Sequence, residues 1–486
     1  MQDVVAYADR PQDECGVFGI YDYLDAAAIT ALGLHALQHR GQEAAGIVSF
    51  DGEQFYAERR SGLVGDSFTD PSVITGLSGN HAIGHVRYST SGASISRNIQ
   101  PLFSDIATGG FSICHNGNIT NALKIRQALV KEGAIFQSTS DTEVIMQLVA
   151  KSSRSKVIER LVEALFQIEG AYSLVILTNK KLIAARDPNG IRPLLVGNLA
   201  SKYIFASETC ALDMVGASFV REVEPGEICI VTENGLESVK PFANTQNRPC
   251  IFEYIYFARP DSVIRNHNVY EYRSRMGAIL AEETPTVADI VSPIPDSGVP
   301  AAIGFAKAAN LPFEHSIIRN HYVGRTFIEP TQNIRSFSVK LKHNPVRSLI
   351  EGKRVVLVDD SIVRGTTAAK IVKMVRDAGA LEVHLRISAP PIKFPDFYGI
   401  DTPDSQELLA ATKSHREMKE FIGCDTLGFL SIGGLYRAIG YPEGRNDDDP
   451  QLTDHCFTGD YPTFLTDYNA LDSPKQLSFL HEKAQK

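Results

Sequence analysis

Short apolar runs typical of strands make up most of the first half of the chain, with a few longer amphipathic segments between them. Between Cys15 and Lys240 these runs are CGVFGIYD, AAGIVSF, HAIGHVRYS, GFSICHNG, YSLVILTN, KLIAARD, KYIFASE and EICIVTEN. The segments DAAAITALGLHALQHRG, TEVIMQLVAKS and KVIERLVEALFQIEG instead repeat apolar residues at the spacing of a helix face. Many strands with a few long helices predict an α+β layered domain over residues 15–240.

The pattern changes after a polar, proline-containing segment, SVKPFANTQNRP at residues 238–249, which we interpret as a linker. Strand ADIVSPIP is followed by helix GVPAAIGFAKAAN, and strand RVVLVDD by helix TTAAKIVKMVRDAG and strand EVHLRIS. This order predicts an α/β doubly wound parallel sheet over residues 250–440. Residues 441–486 are acidic and turn-rich and end in the helix-like LSFLHEKAQK, so we interpret them as a C-terminal tail.

Composition and charge exclude several classes of protein. The 486 residues are 43% hydrophobic and 22% charged, which is ordinary globular usage and not that of a disordered or fibrous chain. The net charge of -9 predicts binding to neither nucleic acid nor an anionic membrane, so an anionic ligand needs a local site. No apolar run has the length of a membrane span.

The cysteines and the first fourteen residues indicate a reduced, cytoplasmic protein. Seven cysteines are spread thinly and form no C-x-x-C, so most are expected to be small core residues. The leader MQDVVAYADRPQDE is acidic and has no apolar centre, which excludes a secretory signal.

Cys15, which follows that leader and opens a strand, has two interpretations. A strand cysteine is most often simply buried. If the bond between Glu14 and Cys15 were cut, however, the new α-amine, with a pKa of about 7.7–8.0, could take the proton of the thiol on the same residue. Cys15 would then be a nucleophile that needs no second residue as its base.

Three further elements fit acyl transfer at such a thiol. HNGN follows a strand and predicts a turn, in which the Asn116 side chain and the Gly117 N–H could form an oxyanion hole; a plain Asn-Gly turn is the alternative. Arg87, at a strand end, could hold a carboxylate. Asp141 precedes a helix and is either its N-cap or an acceptor for an ammonium group. Together these groups predict a pocket for glutamine.

Five blocks, DECGVFGIYD, ALQHRGQEAAGIVS, GHVRYSTSG, CHNGN and SDTE, resemble in order the N-terminal-nucleophile glutamine amidotransferase family. The resemblance implies an αββα fold with residues 1–14 as a propeptide. It also implies that Cys15 is the nucleophile, that Arg87 and Asp141 bind glutamine, and that Asn116 and Gly117 form the oxyanion hole.

The stretch RVVLVDDSIVRGTTAAK predicts a phosphate and ribose site. A buried strand ends at Asp359 and Asp360, and a loop rich in Gly, Ser and Thr leads to a helix whose N–H groups can hold a phosphate. No G-x-x-x-x-G-K-[ST] occurs, which disfavours a P-loop NTPase. The alternative to a ligand site is a capped helix that follows a solvated pair of acids. The residues assigned here are Asp359, Asp360, Ser361, Arg364, Gly365, Thr366 and Thr367.

This block resembles the phosphoribosyl-pyrophosphate motif of the type I phosphoribosyltransferases. PIPDSGVPAA resembles their pyrophosphate loop, which implies roles for Asp296 and Ser297, and RNHYVGRTFI at residues 319–328 resembles their closing loop. The resemblance implies Mg²⁺ near Ser297, Asp359 and Asp360. The basic residues assigned to the closing loop are Arg319, Arg325 and, further on, Arg335.

The two halves together resemble the family of glutamine-dependent phosphoribosyl-pyrophosphate (PRPP) amidotransferases. That resemblance implies release of ammonia at Cys15 and its internal transfer to C1 of PRPP, giving 5-phosphoribosylamine, the first committed step of purine synthesis. Phe252 and Tyr256 match positions near the ammonia path, although their sequence alone predicts core strand residues. The family also implies a homotetramer or homodimer inhibited by purine nucleotides. A glutaminase serving another acceptor and a catalytically silent PRPP-sensing regulator are the alternatives.

Some members of this family hold a [4Fe–4S] cluster through four cysteines. Cys250 and Cys456 match two of those positions, whereas Asp396 and Thr453 occupy the other two. Because such clusters ordinarily need four thiolates, we predict that no cluster binds and that Cys250 and Cys456 lie near each other.

Overall fold

The structure is a computed structural model, and it describes residues 15–68, 70–88, 96–320, 343–400, 402 and 405–468. The strands in chain order are β1 (Gly16–Ile20), β2 (Ala44–Phe50), β3 (Phe55–Ser61), β4 (His81–Arg87), β5 (Leu102–Ile106), β6 (Gly109–Ile119), β7 (Gly170–Thr178), β8 (Leu182–Arg186), β9 (Leu195–Leu199), β10 (Lys202–Ala206), β11 (Ser218–Glu222), β12 (Ile228–Thr232), β13 (Gly235–Val239), β14 (Val263–Ile264), β15 (His267–Asn268), β16 (Ile290–Pro293), β17 (Ile317–Arg319), β18 (His343–Pro345), β19 (Arg354–Asp359), β20 (Glu382–Ile387) and β21 (Thr426–Phe429). The helices are α1 (Ala26–Ala36), α2 (Val64–Ser67), α3 (Pro71–Thr75), α4 (Ala122–Lys131), α5 (Thr142–Lys151), α6 (Val157–Leu165), α7 (Thr209–Met214), α8 (Val269–Glu283), α9 (Val299–Ala309), α10 (Arg347–Ile350), α11 (Thr366–Asp377), α12 (Leu409–Thr412), α13 (His415–Ile422), α14 (Ile432–Ile439) and α15 (His455–Thr458). A 3₁₀ turn spans Ser96–Asn98 and a π-helix spans Glu253–Phe257.

Two antiparallel sheets stack on each other in the first half of the chain. One has the strand order β11-β9-β10-β1-β4-β2-β3 and the other β13-β12-β8-β7-β6-β5. Apolar side chains from both sheets, such as Val17 and Val175, form the layer between them. Helices α1 and α7 cover the outer face of the first sheet, and α4, α5 and α6 cover that of the second. The predicted αββα layering is therefore confirmed.

The second half contains the predicted parallel sheet. Its strands run in the order β16-β19-β20-β21, all parallel, and Val291 of β16 also makes a parallel bridge with Phe313 on its other side. The segment that follows β16 in sequence thus lies beyond it, whereas β19 lies on the opposite side. Chain order reverses between β16 and β19, and doubly wound sheets bind ligands at the carboxyl ends of strands at such a reversal.

Helices cover both faces of this sheet. Helices α8, α9 and α14 pack on one face, and α11 and α13 pack on the other. The core on the first face also includes Leu452, Cys456 and Phe457, so the acidic segment after residue 440 contributes buried apolar residues to this half of the molecule. Among the described residues no helix has the length and apolar character needed to span a bilayer.

Candidate functional site

Cys15 lies at the start of β1, in the middle of the seven-stranded sheet. Its side chain is only 8% exposed, and its thiol donates a hydrogen bond to the carbonyl oxygen of Tyr88 at 3.5 Å. Burial raises the pKa of this thiol to about 11, against the opposing effect of the neighbouring Arg87 guanidinium. In the chain that carries residues 1–14, the thiol is therefore protonated at neutral pH.

Arg87 and Asp141 lie within electrostatic reach of Cys15 and of each other. Arg87 ends β4, whose Val86 pairs with Gly16 of β1, and this register brings the guanidinium beside the thiol. Burial lowers the pKa of Arg87, and Cys15 is the largest opposing influence. The structure thus brings together the thiol, the cation and the carboxylate that the sequence assigned to one pocket.

Asp141 caps helix α5, as the sequence predicted for it in isolation. One carboxylate oxygen accepts from the N–H of Thr142 at 2.8 Å and the other from the N–H of Ile119 at 3.0 Å. Burial would raise the pKa of Asp141, but His115, 3.6 Å from the second oxygen, and the two N–H groups lower it below its usual value. A buried, ionised carboxylate results, which is what an ammonium group requires.

The prediction of a turn at HNGN is wrong, because residues 115–118 lie inside β6 and pair with β7. Asn116 is 1% exposed, and its amide nitrogen has no hydrogen-bond acceptor among the described residues. A buried amide donor without a partner is costly unless a ligand oxygen completes it, as the oxyanion of an acyl-transfer intermediate would. The unpartnered amide is consistent with the oxyanion-hole role predicted for Asn116, although the residue lies in a strand and not in a turn.

Gly117 has a φ of 139° within β6, and a Cβ there would collide with the carbonyl oxygen of Ala171. We expect Gly117→Ala to destabilise the domain by at least about 2 kcal/mol, because both the backbone angle and the close contact oppose a side chain. Thermal unfolding and glutamine hydrolysis of the purified variant measure the effect.

Gly235→Ala is the matched control for this variant. Gly235 also has a positive φ, 106°, but nothing lies within 4 Å of its would-be Cβ, so it reports backbone strain alone. Equal loss of stability in the two variants would contradict a specific close approach at Gly117.

A group of buried ion pairs lies behind Cys15, and no pattern in the sequence indicates it. Arg40, fully buried, donates to the carbonyl oxygen of Cys15 at 3.2 Å and to both oxygens of Glu253, at 2.6 and 3.0 Å. It also pairs with Glu208, and these two acids hold the Arg40 pKa above its usual value despite burial. The quoted block ALQHRGQE contains Arg40, but nothing in that block indicates partners from distant segments.

Asp359 and Asp360 lie at the carboxyl end of β19, beside the chain reversal between β16 and β19. Both are buried, at 4% and 1% exposed. Asp360 accepts from the hydroxyl of Ser361 through one oxygen, and its other oxygen, Oδ2, has no hydrogen-bond partner among the described residues. That oxygen is available to a ribose hydroxyl or, directly or through water, to a hard cation.

The loop after the acid pair is shaped by Gly365. Its φ of 77° ends the loop, and helix α11 begins at Thr366, so Thr366 and Thr367 belong to the first turn of the helix. Arg364 is held by Glu407, whose carboxylate accepts from its Nε at 2.7 Å. The N-terminus of this twelve-residue helix therefore faces the same sheet edge as the acids, as a phosphate site requires.

The segment after β16 borders the same edge. Asp296 accepts from Arg319 at the end of β17, and Gly298 fits directly against the carbonyl oxygen of Val358 in β19. Ser297 lies between them. Arg325 and Arg335 lie outside the described residues.

The structure has a π-helix at the residues that the sequence predicted to be core strand residues. It spans Glu253–Phe257, and Phe252 just before it is 1% exposed and stacks on Phe457 at 5.4 Å. Tyr256 is partly buried and meets the edge of Phe257 at 5.3 Å. The burial expected of Phe252 is thus present, but the strand is not.

This π-helix and the residue after it contact Arg40 behind Cys15 and Arg273 of helix α8. Glu253 binds Arg40 behind Cys15, while the carbonyl oxygens of Tyr254 and Ala258 accept from Arg273 of helix α8 at 2.9 and 2.8 Å. Burial lowers the pKa of Arg273 to about 10, and Asp360 is the largest opposing influence. Buried hydrogen bonds therefore run from Cys15 through Arg40 and the π-helix to Arg273, which lies within electrostatic reach of Asp360.

The four positions that match iron–sulfur ligands carry two thiols, a carboxylate and a hydroxyl. Thr453 donates its hydroxyl hydrogen to the carbonyl oxygen of Arg248, and Asp396 lies against His455, 2.8 Å from its Nε2. Cys250 and Cys456 are within electrostatic reach of each other. Two thiols and a carboxylate already contacting an imidazole do not supply the four thiolates that such a cluster ordinarily needs.

Comparisons with known proteins cover nearly the whole chain. A family described as a glutamine amidotransferase domain matches residues 85–214. The chain is 59% identical to an amidophosphoribosyltransferase of Rhizobium etli over 97% of this chain and 96% of that one. It is 47% identical to the amidophosphoribosyltransferase of Bacillus subtilis over 96% of this chain and 97% of that one. The solved structure of the glutamine PRPP amidotransferase from B. subtilis, complexed with ADP and GMP, matches with a TM-score of 0.88 at 47% identity, covering 93% of this chain and 98% of that one.

Proposed function

The chain belongs to the amidophosphoribosyltransferase family, and we propose that its two sites carry out the two halves of that family's reaction. The enzyme takes ammonia from glutamine and transfers it to C1 of PRPP, giving 5-phosphoribosylamine, glutamate and pyrophosphate in the first step of purine biosynthesis. The assignment of residues rests on one observation. A single chain holds the cluster of Cys15, Arg87 and Asp141 and, at the reversal point of a parallel sheet, a buried acid pair within electrostatic reach of Arg273.

In the amidase half, Arg87 binds the α-carboxylate of glutamine and Asp141 binds its ammonium group. The Cys15 sulfur attacks the side-chain amide carbon, and the α-amine freed by removal of residues 1–14 takes the thiol proton. The resulting oxyanion accepts from the Asn116 amide and the Gly117 N–H. Ammonia leaves with the proton from the amine, and water then hydrolyses the Cys15 thioester to release glutamate.

In the transfer half, the pentose phosphate of PRPP is held at the carboxyl ends of β16 and β19. Asp359 and Asp360 accept from the two ribose hydroxyls, and the loop from Ser361 and the first turn of α11 bind the 5-phosphate. Asp296 and Ser297 border the pyrophosphate. Ammonia attacks C1 as the bond from C1 to pyrophosphate breaks, and the excess proton leaves with solvent or pyrophosphate.

We propose that ammonia passes between the sites beside the π-helix, along Phe252 and Tyr256. Phe252 and its stacking partner Phe457 are buried, so this wall excludes water. Exclusion of water matters because water competes with ammonia both for protons and for C1 of the sugar.

Mg²⁺ fits the transfer site by the chemistry of its donors. The unpartnered Oδ2 of Asp360, the carboxylate of Asp359 and the hydroxyl of Ser297 are hard oxygen ligands of the kind that Mg²⁺ takes. When bound with PRPP, the ion neutralises charge on the departing pyrophosphate.

The two alternative functions were a glutaminase that serves another acceptor and a catalytically silent PRPP-sensing regulator, and neither is supported. Another acceptor domain would not match amidophosphoribosyltransferases over nearly the full chain. A catalytically silent regulator forms no oxyanion, so a buried amide donor without an acceptor at Asn116 would only destabilise it.

We further propose that this enzyme is a homotetramer or homodimer of the cytoplasm and that purine nucleotides inhibit it. The nucleotide proposal is supported by the ADP and GMP in the B. subtilis relative. All seven cysteines are buried free thiols, which suits a reducing compartment.

Activation of Cys15 by its own amine predicts that residues 1–14 are removed from active enzyme. In a chain that retains them, the thiol pKa of about 11 keeps the sulfur protonated below that pH, so its alkylation rate should rise with pH up to about 11. In a chain that starts at Cys15, the amine can act as base once it is deprotonated. Alkylation and glutamine use should then rise near pH 7.7–8.0, the usual range of an α-amine.

Intact mass, iodoacetamide alkylation and pyrophosphate release from PRPP measure these differences. The processed chain should use glutamine or ammonia, and the unprocessed chain ammonia only. Glutamine-dependent activity in a chain whose mass includes Met1–Glu14 would disprove the amine as base.

A further inference from the structure

Asp396, His455 and Cys456 form a compact group of metal-ligating side chains far from Cys15 in the sequence. Their ligand atoms all lie within 4.8 Å of one another, and all three residues are buried. The Nε2 atom of His455 lies 2.8 Å from Oδ2 of Asp396 and 3.3 Å from Sγ of Cys456. Neither half-reaction uses this group.

The contact between Asp396 and His455 is not an ordinary hydrogen bond. Oδ2 of Asp396 has no hydrogen-bond partner with acceptable geometry among the described residues, although Nε2 of His455 is close to it. The other oxygen, Oδ1, accepts from the N–H groups of Tyr398 and Ile400 at 2.7 and 2.8 Å. These two bonds fix the carboxylate and direct Oδ2 towards the imidazole and the thiol.

Aromatic rings fix the imidazole of His455 in the same way. Tyr398 meets it edge-on at 5.1 Å and Tyr461 packs against it at 4.8 Å, while the Tyr461 hydroxyl donates to the carbonyl oxygen of Pro395 at 2.7 Å. His455 and Cys456 both belong to the short helix α15. The Nδ1 atom of His455 has no hydrogen-bond partner among the described residues, so ring packing alone orients the imidazole.

We propose that Asp396, His455 and Cys456 bind one Zn²⁺ ion, with Cys250, which is within electrostatic reach of Cys456, as a candidate fourth donor. A tetrahedral Zn²⁺ with ordinary bond lengths separates N from O by about 3.4 Å and N from S by about 3.6 Å. The separations here, 2.8 and 3.3 Å, are shorter by about 0.6 and 0.3 Å, so outward movements of the side chains by that amount admit the ion.

The charges balance around such an ion. One carboxylate and one thiolate neutralise Zn²⁺, and the imidazole binds in its neutral form. The guanidinium of Arg192, 4.0 Å from Asp396 and within electrostatic reach of Cys250, offsets a second thiolate if Cys250 also binds. Mixed sulfur, nitrogen and oxygen ligands of this kind favour Zn²⁺ over Mg²⁺ and over an iron–sulfur cluster.

Metal analysis of the full-length purified chain tests the proposal. After equilibration with Zn²⁺ and gel filtration, we expect about one zinc per chain and no labile sulfide. Replacement of the zinc by Co²⁺ should give a thiolate-to-cobalt charge-transfer band, which requires a coordinated Cys456. A chelator should lower the Tm of the zinc-loaded protein, because the ion binds the folded state only.

Cys456→Ala should lose both the zinc and the cobalt band, whereas Cys424→Ala should keep both. Cys424 is also a buried core cysteine and lies outside this group, so the pair of variants separates loss of a ligand from loss of a core side chain. Wild-type protein that holds less than about a tenth of an equivalent of zinc and gives no cobalt band would overturn the proposal. Stoichiometric iron with sulfide, or full zinc retention in Cys456→Ala, would overturn it as well.

Discussion

Cys15→Ala is expected to abolish synthesis of phosphoribosylamine from glutamine while leaving synthesis from free ammonia largely intact. Removal of an activated nucleophile lowers the glutamine-dependent rate by more than about 10³-fold, because the thioester cannot form. The PRPP site contains no part of Cys15, so external ammonia still reaches C1. Pyrophosphate release at saturating PRPP, with glutamine or with ammonium chloride at alkaline pH, measures both rates.

Cys229→Ala is the matched control for that variant, since Cys229 is a buried strand cysteine without a role in either half-reaction. It should retain both activities. Equal loss of the two activities in Cys15→Ala would show that the thiol acts in the transfer step or in folding, and the separate amidase site would have to be abandoned.

Asp359→Ala and Asp360→Asn are expected to reduce the use of PRPP sharply while slow glutamine hydrolysis persists. Each hydrogen bond between a carboxylate and a ribose hydroxyl stabilises binding by about 1.5–3 kcal/mol, so losing one acid should lower kcat/KM for PRPP by roughly 10²-fold. Asp360→Asn preserves the shape of the side chain and tests its charge. Steady-state kinetics with PRPP varied, together with glutamate release without PRPP, separate the two functions.

Asp377→Asn provides the control in the same strand–loop–helix unit. Asp377 ends α11 and forms an exposed pair with Lys373, which contributes little to stability. Its kinetics should match the wild type. Unchanged affinity for PRPP in both acid-pair variants would refute the ribose assignment.

Some local predictions failed because tertiary packing outweighs the local preference of the chain. Asn-Gly is typical of turns, yet Asn116 and Gly117 lie inside β6, because pairing with β7 outweighs the local turn preference and Gly117 tolerates the positive φ. The apolar run around Tyr254 fits both a strand and a helix, and only its packing between two domains settles it as a π-helix.

The acidic segment after residue 440 lacked a periodic pattern, so the sequence alone indicated a tail. Its charges find partners that no local pattern reveals: Asp454 accepts from Arg445 at 2.7 Å, and Asp467 accepts from the N–H of Leu123 at 2.7 Å at the start of α4. With those acids satisfied, Leu452 and Phe457 can enter the core.

The sequence by itself determined the two layered halves, the strand that opens at Cys15, and the acid pair that ends β19. Periodicity and the residues at strand ends are local properties, and the local chain suffices to express them. Only the tertiary structure decided that Arg40 joins Cys15 to the π-helix, that the Asn116 amide lacks an acceptor, and that Asp396 meets His455. Those relations depend on which distant segments share a buried environment, where an unmatched polar group is costly. The spacing of residues along the chain does not reveal them.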